Sequence, residues 1–107
     1  MVLTPASLLH YLLDRSFVTP ESLVSGNLQL LDVSRRNLDF KVIRKNEPSY
    51  FVKQIKSWTP DPIATIEREA NFHRLLLHDT RFQSLSPLVP KCHAYDPEQH
   101  ILIHELL

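Results

Sequence analysis

Glycine is almost absent from this chain, with one residue, Gly26, among 107. Backbone N–H groups approach an oxyanion most closely where glycine leaves room, so a glycine-rich phosphate cradle is excluded. Cysteine is equally scarce. The lone Cys92 rules out an internal disulfide and fits a reducing compartment. Net charge is missing too: twelve basic residues balance twelve acidic ones, so no long-range field favours nucleic acid or an anionic membrane as partner. No apolar stretch approaches the roughly 18 residues of a membrane span. The N-terminus has neither the basic start nor the small-residue cleavage site of a secretory signal, so a cytoplasmic location is expected. A chain of this length allows one domain with a modest core.

The first 26 residues read as helical. Thr4-Pro5 is an entry signal, with Thr4 as N-cap and Pro5 in the first turn, and Leu8, Leu9, Leu12 and Leu13 supply an apolar face that ends near Arg15. Thr19-Pro20 repeats the signal, and Gly26 suits the stop of a short second helix. This segment is expected to cover the sheet that follows.

From Leu28 the period changes to two. A strand to Val33, the break Ser34-Arg35-Arg36-Asn37, a second strand from Leu38 to Arg44, the turn 45–49 and a third strand at Tyr50–Lys56 make three antiparallel strands. Ser57 to Pro62 reads as a rigid loop, and Pro62–His78 as a helix with Ile63, Ile66, Ala70, His73 and Leu77 on its inner side. Residues 81–86 lead through Pro87 and Pro90 to two more strands, Lys91–Tyr95 and Gln99–Glu105, across an Asp96-Pro97-Glu98 turn. The last of these is nearly all apolar, as a strand buried on both faces should be. The expected fold is α+β: a five-stranded antiparallel sheet with one packed helix, preceded by N-terminal helices.

Chemistry concentrates in YFVKQIK, Tyr50 to Lys56. Alternation puts Phe51, Lys53 and Ile55 on one face, with Tyr50, Val52, Gln54 and Lys56 on the other. An ammonium in mid-strand needs a carboxylate or an anion such as phosphate. Glu69 lies roughly 60° from Ile66 on the helical wheel, inside the apolar stripe, where an acid needs a cation. The two are expected to pair.

Four pieces in order, YFVKQ at Tyr50–Gln54, IEREANFHRLL at Ile66–Leu76, PLVPKCHAYDP at Pro87–Pro97 and ILIHELL at Ile101–Leu107, resemble the aminoglycoside phosphotransferase and choline kinase-like group, relatives of the protein kinases. The resemblance covers about Leu28 to Leu107 and implies the small, nucleotide-binding lobe of a kinase-like fold, 27–107, ending at the connector between lobes. It implies that Lys53 holds the α- and β-phosphates of ATP, that Glu69 holds Lys53, and that Phe51 meets the adenine face. It further implies that backbone groups of His104 and Leu106 read the adenine edge and that Ile103 lines the back of that pocket. The turn at Ser34–Asn37 corresponds to the one that covers the phosphates. Lacking glycine, it offers Arg35 and Arg36 for bidentate contacts and Ser34 and Asn37 as side-chain donors.

Each of these residues also has a plainer reading. Lys53 and Glu69 suit a structural ion pair, Phe51 and His73 suit the core, and Arg35 and Arg36 suit a solvated turn. His10, His78, His93, His100 and His104 have no metal-ligand spacing with Cys92, and Cys92 has no base beside it. Transfer also needs an aspartate to orient the acceptor hydroxyl and ligands for magnesium, and no HGD-type or DFG-type stretch is present. The chain is therefore expected to be an incomplete phosphotransferase acting on a small-molecule hydroxyl, with its magnesium ligands in a further lobe and a sheet face sticky enough for self-association. The alternative is a non-catalytic interaction module or nucleotide sensor.

Overall fold

The structure, a computed structural model, describes residues 1–81, 84 and 89–106. Its elements are α1 (Pro5–Asp14), α2 (Pro20–Val24), β1 (Leu28–Asp32), β2 (Leu38–Arg44), β3 (Tyr50–Gln54), α3 (Pro60–His78), β4 (Cys92–Asp96) and β5 (Ile101–Glu105). The five strands form one antiparallel sheet in the order β1-β2-β3-β5-β4. The approach to β4 through residues 82–83 and 85–88, and the end of the chain at Leu107, lie outside the described residues.

Local chemistry sets the helix ends. Thr4 and Ser7 cap α1 reciprocally: the Ser7 N–H donates to Thr4 Oγ1 at 3.1 Å and the Thr4 N–H to Ser7 Oγ at 2.8 Å. Thr19 caps α2 through the Ser22 N–H. Gly26 follows α2 with φ at 73°, the left-handed conformation that stops a helix there. The third proline-bearing helix entry differs from expectation. α3 begins at Pro60 rather than Pro62, with Thr59 at the cap, because prolines in the first turn forfeit only N–H groups that a helix start leaves unpaired.

Strand parity divides the core in two. On one face Phe40, Val42, Tyr50, Val52, Ile101 and Ile103 pack against Leu3, Leu8, Leu12 and Val18 of the N-terminal segment. α1 thus covers the sheet as anticipated, and residues 1–26 supply Leu3, Leu8, Tyr11, Leu12 and Val18 to the main core. Gln54 is buried in that face with its amide satisfied: it accepts from the Leu3 N–H at 2.8 Å and donates to the carbonyls of Met1 and Gln99 at 2.7 and 2.9 Å. Tyr11 donates to Asp96 Oδ2 at 2.8 Å, and Arg15 pairs with the same oxygen at 2.7 Å.

On the other face Ile55 and Leu102 pack against Ile66 and Ala70 of α3. β5, central between β3 and β4, buries Ile101, Leu102 and Ile103 and so is covered on both sides. It starts after His100, whose φ of 53° ends the preceding turn, so it is shorter than the Gln99–Glu105 run expected. Leu77 is exposed, contrary to the helical wheel, and Leu76 is buried instead. A groove of about 430 Å³ separates the C-terminal half of α3 from β4, so Leu77 meets that opening rather than a packed strand. Among the described residues no helix is long and apolar enough to cross a membrane.

Candidate functional site

The side chains expected to pair do so. Lys53 projects from β3 toward α3, and its Nζ lies 3.1 Å from each carboxylate oxygen of Glu69. The two groups retain 23 % and 31 % side-chain exposure, enough for a ligand to reach the amine without unfolding the helix. Parity of β3 puts Lys53 on the α3 face, and the wheel of α3 brings Glu69 onto the same side as Ile66 and Ala70, which anchor the helix.

The pair opens into a cleft of about 410 Å³ lined by Arg36 and Asn37 of the β1–β2 turn, Lys53 of β3, Ile55 just after it, and Asp61, Thr65 and Glu69 of α3. Turn, strand and helix therefore converge on one amine; the Thr65 hydroxyl is spent on the Asp61 carbonyl at 3.0 Å, which leaves a guanidinium and a carboxamide within the same walls. These are groups that bind oxyanions from side chains, as a turn without glycine requires.

The rest of the expected set divides. Arg36, not Arg35, joins the lining; the Arg35 carbonyl accepts from Lys56 Nζ across the turn. Ser34 is spent on the turn itself: its N–H donates to Asp32 at 2.9 Å, and its hydroxyl exchanges bonds with the main chain of Asp39 at 2.9 and 3.3 Å. Phe51 is half-buried, and its ring lies parallel to that of His104, with centroids 5.1 Å apart and an angle of 11°. The two residues are ladder partners on adjacent strands, so their rings stack against each other on the Lys53 face of the sheet, beside the cleft and not among its lining residues.

Three assignments are corrected. Ile103 pairs with Val52 and points into the α1 core, on the face opposite Lys53; the parity that puts Leu102 beside Lys53 puts its neighbour on the far side. His104 belongs to β5 rather than to a connector, and its side chain, not its backbone, faces the site. The Leu106 N–H donates to the Ser49 carbonyl at 2.9 Å, so it is engaged within the sheet and does not stand free to read a base edge. His73, read as a core residue, is buried, with its ring centroid 6.1 Å from that of His104. Burial, with His104 nearby, lowers its pKa and favours the neutral ring.

One residue escaped the sequence reading. Asp39 of β2 stands directly across the ladder from Lys53. Its Oδ1 is sealed from solvent and meets no hydrogen-bond partner among the described residues. Burial raises its pKa; Lys53 and Lys56 oppose the shift, while Glu69 and Asp32 reinforce it. The register was the signal: the hairpin turns about Asn46, whose φ is 66°, and counting outward from there sets Asp39 opposite Lys53.

Among the described residues no group of three or more histidine, cysteine or carboxylate side chains is arranged to hold a metal ion. Comparisons with protein-family models, with curated proteins and with solved structures find no match to the chain.

Proposed function

We propose that this chain is the small, nucleotide-binding lobe of an ATP-dependent phosphotransferase, of the aminoglycoside phosphotransferase and choline kinase-like kind, that phosphorylates a small-molecule hydroxyl with the help of a further lobe. The observation that carries the reading is the bidentate contact of Lys53 with Glu69 at the mouth of a cleft that also holds Arg36 and Asn37. An amine held in place by a carboxylate on a packed helix can meet phosphate oxygens without first being ordered, and that saving in entropy goes to binding. The turn residues extend the same contact toward the outer phosphates. Phe51 and His104 offer an aromatic surface beside it on which a purine stacks.

Magnesium, in this reading, comes with the nucleotide and takes its protein ligands from the further lobe. Acceptor and catalytic base belong there as well. The experiment is a calorimetric titration of Mg-ATP into the chain and into Lys53→Ala. Saturable binding to the first that falls at least about tenfold in the second supports the proposal; equal binding to both, or none to the first, rejects it.

A further inference from the structure

A cleft proposed for a polyphosphate should be electropositive, and this one is not. Its lining pairs two cations, Arg36 and Lys53, with two carboxylates, Asp61 and Glu69. Asp39, across the ladder from Lys53, adds a third carboxylate whose Oδ1 meets neither solvent nor, among the described residues, a hydrogen-bond donor. The charged groups felt by Asp39 come from every neighbouring element: Asp32 on β1, Lys53 on β3, Lys56 just beyond it and Glu69 on α3. Lys56 and Asp32 offset one another, and Lys53 is already claimed by Glu69. Asp39 is thus a surplus negative charge in a partly dry place, where electrostatic interactions are poorly screened.

We propose that Asp39 makes the site selective for nucleotide whose charge is already reduced by a divalent cation, admitting the magnesium complex of ATP and disfavouring the free tetra-anion. The inference rests on the nucleotide reading above. Free triphosphate brings its full negative charge up to Asp39 and Glu69 with one amine between them, whereas the complexed form brings less and is repelled less. Asp39 acts through the field at Lys53 rather than by contact, so it is a specificity-determining residue and not a ligand of the nucleotide. The main chain fits this division of labour: the Asp39 N–H is bound by Ser34 Oγ and its carbonyl by the Val33 N–H at 2.9 Å each, so the turn does not depend on the carboxylate.

The test compares two ligands, ATP with EDTA and ATP with excess magnesium, titrated into the 107-residue chain, Asp39→Asn and Asp39→Leu. Asparagine keeps the shape and removes the charge; leucine also suits a site whose sealed oxygen has no donor to lose. In the unsubstituted chain the magnesium complex should bind at least about tenfold more tightly than free ATP. Either substitution should shrink that ratio to about threefold or less by strengthening the binding of free ATP. A ratio unchanged by both substitutions, or one that shrinks only because magnesium-ATP binding is lost, overturns the inference while leaving nucleotide binding intact. Failure of both ligands to bind any of the three proteins overturns the nucleotide reading and this inference with it.

Discussion

The two faces of the sheet use the same strands for opposite ends, and one carboxylate on each face makes the contrast plain. Asp96, on the α1 side, is buried, which alone would raise its pKa; hydrogen bonds from Tyr11, Gln99 and Glu98, with the charge of Arg15, outweigh burial and lower it. Asp39, on the α3 side, is raised by burial, and its Oδ1 has no donor among the described residues to oppose the shift. One face satisfies its polar groups and contributes stability. On the other, Asp39 Oδ1 meets no donor among the described residues and the Lys53 amine stays partly exposed, an arrangement that costs stability.

The largest effect that sharpens this comparison belongs to the α1 face. Leu12 is fully buried against the sheet, and Leu12→Ala should destabilise the chain by about 3 kcal/mol in urea unfolding, through lost burial and the cavity left behind. A loss below about 1 kcal/mol would mean that α1 only rests on the sheet.

Next comes Tyr11→Phe, which removes the phenol donor from Asp96 and should cost about 1 kcal/mol at neutral pH. The sign with pH follows from the lowered pKa. Asp96 contributes stability that is present above its unfolded value of 3.8 and lost as pH falls through the still lower folded value. Tyr11→Phe should therefore flatten the acid limb of the stability profile.

Asp39→Asn should act in the opposite direction, stabilising the chain by up to about 1 kcal/mol at neutral pH. Its folded pKa lies above the unfolded value of 3.8, so the ionised form is a liability relieved as pH falls through the folded pKa. The gain from the substitution should fade over that window. Equal and parallel acid profiles for the Asp96 and Asp39 variants would break the comparison between the faces.

The smallest effect concerns the edge of the molecule. Trp58 stands 47 % exposed, with its ring edge-on to His100 at 4.8 Å. Trp58→Ala should change stability by about 0.5 kcal/mol, read by urea unfolding.

Much of this contrast was legible in the sequence. Alternation in YFVKQ put Lys53 on one face and Val52 and Gln54 on the other, and the wheel of α3 put Glu69 on the buried side, because local periods survive folding. The cap and glycine signals at Thr4, Thr19 and Gly26 held for the same reason. Properties that depend on partners from elsewhere were less legible. Asp39 became part of the cluster only through hairpin register, and Ile103 left it because β5 pairs Val52 with Ile103 and Lys53 with Leu102. Ser34 looks like a ligand donor until the bonds that close its own turn are drawn. Leu77 follows the wheel, yet the groove beside β4 leaves it uncovered.

The central claim is that the α3 face is arranged for a ligand rather than for stability, and Lys53→Met measures both at once. The account predicts that urea unfolding shifts by no more than about 1 kcal/mol, since the Lys53–Glu69 pair is partly exposed and solvent screens much of its attraction, while Mg-ATP affinity falls at least about tenfold. A variant that loses several kcal/mol of stability, or one that binds Mg-ATP as the unsubstituted chain does, would contradict it.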